Sequence, residues 1–256
     1  MGADSLMSTE NNKTDFGFTD VSKEEKVAKV NEVFSSVAAK YDLMNDLMSF
    51  GMHRCWKRYF VGRSAIHSGD NVCDLATGSG DIALLIAKKL ADTGKLTISD
   101  INPDMLVLGK DKLLNAGFFK NIDSTIANAE QLPFEDNSFD VVTIAFGLRN
   151  VADKKKALSE MLRVIKPGGK VMVMEFSQPQ LESIEFLYNK FSFNIIPLLG
   201  KKFAGDAESY RYLVESIRRH PNQEILKSWF YEAGFDGCDV TNLAQGIVAI
   251  HKGVKF

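Results

Sequence analysis

The 256 residues suit one large α/β domain, or one domain with a small subdomain that covers its substrate. Hydrophobic residues make up 45% of the chain and charged residues 25%, which is typical of a globular protein with a substantial core. The formal net charge of -2 excludes an overall positive field, so no nucleic-acid partner is expected and any anion site must be local.

Residues 1–13 are polar and show no hydrophobic periodicity, so we interpret them as a disordered leader or tag before a single domain, residues 14–256. Apolar side chains then recur at helical spacing behind Ser22, which predicts an amphipathic helix over residues 23–40 with Ser22 as its N-cap. Because the aromatic-rich residues that follow continue this pattern, we expect residues 14–66 to form an N-terminal helical cap.

Short apolar runs alternate with amphipathic stretches across residues 67–180. Strands that alternate with helices at this spacing predict a parallel sheet covered by helices on both faces. The predicted strands cover residues 71–76, 95–100, 122–127, 139–146 and 170–176, and the predicted helices cover residues 81–91, 103–116 and 153–166.

The alternation of strands and helices stops at residues 181–220, which we interpret as a helical insertion that serves as a substrate lid. Residues 221–256 then predict a helix over 222–233 and two strands, near 236–242 and 246–252. So few residues separate these strands that they must pair antiparallel, since a parallel crossover needs about a dozen residues. A mostly parallel sheet that ends in an antiparallel hairpin is the Rossmann-like arrangement of class I methyltransferases, and this is the α/β fold that we expect.

The three cysteines, Cys55, Cys73 and Cys238, are odd in number and widely spaced, which indicates reduced thiols in a cytoplasmic protein. No group of His, Asp and Glu residues has metal-ligand spacing, so no metal is expected. No early apolar run resembles a signal peptide, and no stretch of about 18 apolar residues could span a bilayer, so we expect a soluble chain.

The loop after the first strand of residues 67–180 carries Gly78, Ser79 and Gly80, which lets a ligand approach the backbone closely at the carboxyl edge of the sheet. We therefore expect residues 67–180 to be the cofactor-binding core. The string from Gly78 to Ala83 also matches a dinucleotide fingerprint, and Asp100 lies 100 − 80 = 20 residues after Gly80. A nicotinamide-dependent oxidoreductase is therefore one alternative.

Polar residues at three successive strand ends favour S-adenosylmethionine over a dinucleotide. Asp74 can hold a cationic amine, directly or through water, whereas a pyrophosphate would be repelled by it. Asp100 ends the second of these strands and can accept hydrogen bonds from both ribose hydroxyls. Asn128 and Ala129 follow the third, where a polar side chain and a backbone amide can meet an adenine.

Two long segments are similar to the signatures of the UbiE-type C-methyltransferases of ubiquinone and menaquinone biosynthesis. The first contains Tyr41-Asp-Leu-Met-Asn45 with Ser49, His53-Arg54 and Trp56, and the second is Arg163-Val-Ile-Lys-Pro-Gly-Gly-Lys-Val-Met-Val-Met-Glu-Phe-Ser177. Phe146-Gly-Leu-Arg-Asn150 and Asp206-Ala-Glu-Ser-Tyr-Arg-Tyr-Leu213 also resemble family segments, and the resemblance runs from about Asp15 to Phe256.

The resemblance implies cofactor contacts from Ser79, Asp100, Asn128 and Ala129. The chain departs from the family pattern in its glycine turn, which reads Ala-Thr-Gly-Ser-Gly where members often have Gly-Gly-Thr-Gly. Ala145 stands where many members carry a serine, so that hydroxyl is missing, although the backbone at this position can still line the pocket.

The implied reaction is C-methylation of a polyprenyl quinol, namely demethylmenaquinol, 2-polyprenyl-6-methoxy-1,4-benzoquinol, or both. The ring carbon becomes nucleophilic once a phenolic oxygen loses its proton, so the site needs a group that stabilises a phenolate. Arg149 and Asn150 follow the fourth strand of the core, and Tyr41 belongs to the cap; we expect these three to form the polar end of the quinol pocket. His53 and His220 are alternative general bases.

Residues 184–199 are rich in aromatic and branched side chains, and Lys201 and Lys202 follow them. One interpretation is a lid that encloses the prenyl tail and contacts the inner membrane peripherally, with the lysines at anionic headgroups. A core helix or a homodimer face is the other interpretation, and a contact with a quinone-biosynthesis assembly stays open. Alternatives for the reaction are O-methylation of a small phenol and a non-catalytic scaffold role.

Overall fold

The structure is a computed structural model, which describes residues 12–38, 45, 46, 49, 51–91, 93–180 and 207–256. Tyr41 lies outside the described residues, and so do residues 181–206, which hold most of the predicted lid with Lys201 and Lys202. The predictions that concern these residues are therefore not addressed by the structure.

The chain enters the fold through a two-stranded antiparallel hairpin, β1 (Lys13–Phe16) and β2 (Thr19–Ser22), which the sequence did not predict. The two strands carry few apolar side chains, so polar contacts help to hold the hairpin in place. Thr14 Oγ1 donates to the Ala152 carbonyl at 2.9 Å, and the Phe18 amide donates to Glu215 at 3.1 Å. Lys13 already belongs to β1, although the predicted leader included it.

Helix α1 (Lys23–Val37) follows the hairpin directly, and Ser22 caps it as predicted. The Glu25 amide donates to Ser22 Oγ at 3.1 Å, and the Ser22 amide donates to the Glu25 carboxylate at 3.0 Å. This reciprocal capping box satisfies two backbone donors that a helix start otherwise leaves unpaired.

Seven strands form the central sheet in the order β5-β4-β3-β6-β7-β9-β8. The five strands from β5 to β7 in this order are parallel to their neighbours, whereas β9 pairs antiparallel with both β7 and β8. The strands are β3 (Asn71–Leu75), β4 (Lys95–Asp100), β5 (Ile122–Ile126), β6 (Phe139–Ala145), β7 (Ile165–Phe176), β8 (Gly237–Leu243) and β9 (Val248–Val254). The predicted α/β class, the mostly parallel sheet and the antiparallel closing hairpin are confirmed.

The helices between the strands begin where polar caps occur in the sequence. Asn102 caps α4, and Asp153 caps α5, each through its side-chain oxygen. The helices after α1 are α2 (His53–Arg63), α3 (Asp81–Leu90), α4 (Pro103–Asn115), α5 (Lys154–Val164), α6 (Ala207–Arg219) and α7 (Gln223–Ala233).

The boundary between α5 and β7 differs from the prediction, which extended the helix to Lys166 and began the strand at Lys170. The helix ends at Val164, and Ile165 already pairs with Phe139 of β6. The register then shifts by a bulge, so that Lys170 pairs with Val141. Ile165 is fully buried, and its place in the core outweighs the tendency of the following Pro-Gly-Gly to break regular structure.

The core consists of two apolar layers, one on each face of the sheet. Along β7, Val171 and Val173 face the layer covered by α5 and α7, while Met172 and Met174 face the layer covered by α2, α3 and α6. This alternation follows from the two-residue period of a strand, and burial on both faces explains why the strand is apolar throughout. Among the described residues, no helix has the length and apolar character needed to cross a membrane.

Candidate functional site

The strand order reverses between β3 and β6, and the loops that follow these two strands separate there to leave a crevice. A crevice that encloses about 800 Å³ of space, including space open to solvent, lies at this point. Its walls come from the carboxyl ends of β3, β4, β5 and β6, and α1 covers it from the other side. Predicted site residues in its lining are Gly78, Asp100, Asn128, Ala129, Ala145 and Asn150.

A smaller cavity of about 330 Å³ adjoins it and shares Ala76, Ala145 and Phe146 with it. Asp74 and Ser79, two further predicted site residues, line this smaller space. The two cavities adjoin each other, since the same three residues belong to the walls of both. The predicted residues from four separate strand ends thus line adjoining spaces.

Gly80 lines neither cavity. Its φ of 84° places it in the left-handed region, and a Cβ there would lie 2.8 Å from the Cα of Gly109 in α4. Close packing between the glycine turn and α4 therefore requires a glycine at this position. This packing is a reason for a glycine here besides the room for a ligand that the sequence suggested, and that suggestion stays a prediction.

Two non-glycine residues adopt left-handed backbone conformations at the ends of the neighbouring strands, Ala76 after β3 and Phe146 after β6. Each of these two residues contributes to the walls of the larger and the smaller cavity. Such conformations are uncommon for residues with a side chain and concentrate at ligand sites. The sequence carries no signal for them.

Asp100 ends β4, and its buried carboxylate is fixed by backbone donors. Oδ2 accepts from the Gly78 amide and Oδ1 from the Asn102 amide, both at 2.9 Å. Burial raises the pKa of Asp100 above its ordinary value, and these backbone donors oppose that shift. Each oxygen retains capacity for another donor, so the carboxylate can bind a pair of hydroxyl groups.

Asp74 is fully buried, and two threonines hold its oxygens. Thr77 Oγ1 donates at 2.7 Å and Thr143 Oγ1 at 2.6 Å. Burial raises the pKa of Asp74 to about 6, so its carboxylate is still mainly ionised at neutral pH. A negative charge at the wall of the smaller cavity suits a cationic group.

Lys57 of α2 also lines the smaller cavity, and it was not predicted. Its Nζ lies 2.8 Å from Asp81 Oδ2, while Lys112 Nζ lies 2.6 Å from Asp81 Oδ1. Although burial opposes ionisation, the two lysines lower the pKa of Asp81 to about 2. One carboxylate thus serves two ammonium groups, which leaves one positive charge in excess in this triad.

On the substrate side, Asn150 lines the larger cavity, and its Oδ1 accepts from the Tyr212 hydroxyl at 3.0 Å. Arg149 is buried and does not belong to that lining. Its Nη1 donates to Glu175 Oε1 and to the Phe146 carbonyl, each at 2.6 Å. Its Nε is buried without a hydrogen-bond partner. The third predicted member, Tyr41, lies outside the described residues.

Neither histidine singled out from the sequence lines either cavity. His53 Nε2 lies 2.9 Å from Asp46 Oδ1, and burial lowers the pKa of this histidine. Both ring nitrogens of His220 are buried without partners, and burial holds its pKa well below the ordinary value. In the described part of the chain, no three potential metal ligands cluster together.

Comparison with known proteins agrees with this site. The sequence profile of the ubiE/COQ5 methyltransferase family matches residues 19–255. The chain is 56% identical to the ubiquinone/menaquinone biosynthesis C-methyltransferase UbiE of Francisella tularensis subsp. tularensis over 98% of this chain and 100% of that protein. It is 51% identical to the UbiE of Salmonella paratyphi B over 95% of this chain and 97% of that protein.

Solved structures share the fold at low sequence identity. The putative methyltransferase from a Haloferax volcanii complex with the Trm112 activator has a TM-score of 0.64 at 18% identity, over 86% of this chain and 96% of that one. A methyltransferase of Thermotoga maritima described as S-adenosylmethionine-dependent has a TM-score of 0.62 at 17% identity, over 88% and 99%. The match to the family profile and the identity to its members agree: the chain belongs to the ubiE/COQ5 methyltransferase family and is an S-adenosylmethionine-dependent C-methyltransferase.

Proposed function

We propose that the protein methylates a ring carbon of a polyprenyl quinol, as the ubiquinone and menaquinone names of its relatives suggest. The observation that carries the proposal is the pair of adjoining cavities at the carboxyl edge of the sheet. One end of this space presents acidic and cationic side chains suited to the cofactor, and the other presents Asn150. When bound, S-adenosylmethionine supplies an electrophilic methyl group on its sulfonium.

In the larger cavity, Asp100 is proposed to accept hydrogen bonds from the ribose hydroxyls, since its two oxygens are already oriented by backbone amides. Asn128 and Ala129 offer an amide side chain and a backbone group to the adenine. Gly78 and Ala145 present backbone at the junction of the cavities.

In the smaller cavity, Asp74 and Ser79 are proposed to bind the amino group of the cofactor, and Lys57 its carboxylate. Lys57 belongs to the lining of the smaller cavity, which supports the carboxylate assignment. Opposite charges for the two ends of an amino acid thus occur in one small space. Gly80 supports this arrangement indirectly, by letting the glycine turn pack on α4.

For the quinol, we propose that Arg149 stabilises a phenolate and that Asn150 and Tyr41 orient the ring. Glu175 and the Phe146 carbonyl engage Nη1 of the arginine, so a phenolate that reaches the arginine would accept from Nε or Nη2. Asn150 accepts from Tyr212 through Oδ1, which directs its amide nitrogen elsewhere as a donor. A fixed guanidinium needs little reorganisation when negative charge develops beside it.

Methylation of carbon agrees with membership of the family, since the relatives are named C-methyltransferases and none of these names points to a phenol oxygen. The experiment incubates the protein with labelled S-adenosylmethionine and short-tailed demethylmenaquinol or benzoquinol analogues, and resolves the products by mass and NMR. Ring-methylated quinol is expected from one or both substrates. Methoxy products alone would contradict the proposal, and so would release of S-adenosylhomocysteine without methylated quinol.

We further propose that residues 184–202 contact the cytoplasmic face of the membrane, where a prenyl tail resides. Support comes from their aromatic and branched side chains, followed by Lys201 and Lys202. Co-sedimentation with vesicles that contain anionic lipid should retain the protein in low salt, and Lys201→Gln/Lys202→Gln should weaken retention. If the protein stays in the supernatant and light scattering gives the mass of a dimer, the homodimer face is favoured instead.

A further inference from the structure

The face of α1 above the larger cavity contains a single polar residue. Val27, Val30, Asn31 and Phe34 line the cavity, and their spacing places them on one side of the helix. Three of the four are apolar, as expected for a helix that covers a cavity. Asn31 is the exception.

The Asn31 side chain has an unmet hydrogen-bonding capacity. Its Oδ1 is buried, and no hydrogen-bond partner is present for it. Nearly all buried polar atoms in folded proteins are paired, because an unpaired acceptor loses its interaction with water and gains nothing in return. Because Asn31 belongs to the lining of the cavity, a bound ligand is a candidate source of the missing donor.

The position of Asn31 is fixed relative to Asp100. Asn102 Nδ2 donates to the Asn31 backbone carbonyl at 3.1 Å and to Ser35 Oγ at 3.0 Å. The Asn102 backbone amide donates to Asp100 Oδ1 at 2.9 Å. One residue thus connects α1 to the carboxylate proposed for the ribose, so Asn31 lies at the end of the site where Asp100 is found.

A second contact strengthens this attachment, since Ser35 Oγ donates to Asp104 Oδ2 at 2.7 Å. Asn31 therefore remains in place through its backbone even when its side chain is removed. Truncating the side chain changes the cavity wall without releasing α1 from α4.

We infer that the side-chain amide of Asn31 binds the adenosine half of S-adenosylmethionine, as the acceptor for a hydroxyl or amino group. The adenosine half carries such donors in its two ribose hydroxyls and its adenine amine. The amino-acid half is assigned to the smaller cavity, which Asn31 does not line. The N-terminal helix is therefore part of the cofactor site as well as its cover. This inference depends on the placement of adenosine at Asp100 proposed above.

The experiment measures binding by calorimetry for the unchanged protein, for Asn31→Ala and for Glu32→Ala. The ligands are S-adenosylhomocysteine and 5′-methylthioadenosine, which lacks the amino-acid carboxylate and amine. Asn31→Ala should lower the affinity for both ligands by a similar factor, about 5- to 30-fold for one lost hydrogen bond. Glu32 is the next residue of α1 and is exposed, so its variant should bind both as the unchanged protein does.

Melting of the free protein supplies a second readout. If Oδ1 is unpaired without ligand, Asn31→Ala should melt at the same or a higher temperature, since alanine favours a helix and removes a buried unpaired acceptor. A structural role predicts a lower melting temperature. Unchanged affinity for both ligands, weakening of S-adenosylhomocysteine alone, or a lowered melting temperature would each overturn the inference. Failure of the proposed quinol methylation is distinguishable, because both ligands would still bind the unchanged protein. A wrong placement of adenosine would show as S-adenosylhomocysteine binding to Asp100→Asn as tightly as to the unchanged protein.

Discussion

Arg149 Nη1 lies 2.6 Å from Glu175 Oε1, and their side chains are only 4% and 2% exposed. Glu175 also accepts from the Arg149 amide at 3.2 Å and from the Phe176 amide at 2.9 Å. Strand β7 thereby fixes the guanidinium immediately after β6, next to Asn150 in the cavity wall. A buried pair of this kind holds an orientation more effectively than it stabilises the fold.

Removing the Arg149 side chain should therefore affect both stability and turnover. Arg149→Ala leaves Glu175 buried without its partner, which we expect to lower the free energy of unfolding by about 3–5 kcal/mol. The double variant Arg149→Met/Glu175→Gln removes both charges at similar volume and should recover most of that loss. Chemical denaturation of the three proteins checks this expectation.

Turnover of the double variant tests the proposed role of Arg149 in the reaction. We expect turnover to fall about 100-fold or more, the size of effect seen when one stabiliser of a developing negative charge is lost. Affinity for S-adenosylhomocysteine should stay within about threefold of the unchanged value. A double variant that folds, binds this ligand and turns over normally would contradict the proposed role.

Asp100→Asn should weaken S-adenosylhomocysteine binding by about 10-fold or more. The carboxylate accepts from two backbone amides, Gly78 and Asn102, and an amide side chain must turn an NH₂ group toward one of them. The single oxygen of the asparagine amide could then accept from one backbone amide and one ribose hydroxyl, whereas the carboxylate offers two such oxygens. Calorimetry measures the loss, and Asp111→Asn, at an exposed position of α4, serves as the control. Equal binding by both variants would contradict the ribose assignment.

Lys57 and Lys112 share Asp81 but differ in what they line, which provides a matched comparison. Lys57 lines the smaller cavity, whereas Lys112 lines an open groove on the outside of the triad. Lys57→Met should lower the affinity for S-adenosylhomocysteine by about 10-fold, because a charge-assisted hydrogen bond to the carboxylate of this ligand is lost. Binding of 5′-methylthioadenosine, which has no carboxylate, should not change.

Lys112→Met should lower the affinity for S-adenosylhomocysteine much less than Lys57→Met does. Asp81 keeps Lys57 as a partner, and Lys112 reaches the proposed site only through a 3.4 Å contact with Ser79 Oγ. The two lysine variants therefore separate a cofactor contact from the general charge balance of the triad. If both variants weaken S-adenosylhomocysteine equally, the effect is one of net charge and the carboxylate assignment to Lys57 is wrong.

The sequence predicted those parts of the fold that depend on neighbouring residues. Periodicity placed the strands of the sheet, and the predicted cap Ser22 placed the start of α1 correctly. The carboxyl-edge rule for parallel sheets brought Asp100 and Asn128, far apart in the chain, to one cavity.

The features that the sequence did not predict depend on contacts between distant segments. Gly80 packs against Gly109, and Lys57 meets Asp81 and Lys112 from a different helix. The left-handed conformation of Phe146 is imposed by its surroundings, since nothing in the residue itself favours it. Such features become visible only when the chain is folded.

A buried lysine in α1 provides a prediction about pH. Lys26 is inaccessible to solvent, and its Nζ lies 3.4 Å from Asp15 Oδ2 in the hairpin. Burial, together with the charge of Lys154, lowers the pKa of Lys26 to about 7. In the unfolded chain this lysine is expected to regain its ordinary value, about 10.4.

Between about pH 7 and pH 10, the unfolded chain therefore binds more protons at this residue than the folded protein does. The contribution of Lys26 to folding free energy must become more favourable as pH rises through this window, by at most about 1.4 kcal/mol per pH unit. Below about pH 7 both states are protonated, and the full cost of burying the charge is present.

Lys26→Met should consequently have a larger free energy of unfolding than the unchanged protein at pH 6.5. The difference between the two free energies, called the margin below, should narrow steadily up to pH 9.5. Asp15 keeps Lys154 at 3.4 Å in this variant, so its charge is not left unpaired. The measurement is urea denaturation at several pH values, and the difference between the two proteins cancels the titration of other groups. Lys29→Met, on an exposed position of the same helix, is the control. A margin for Lys26→Met that is constant with pH, or that widens, would show that Lys26 does not titrate in this window.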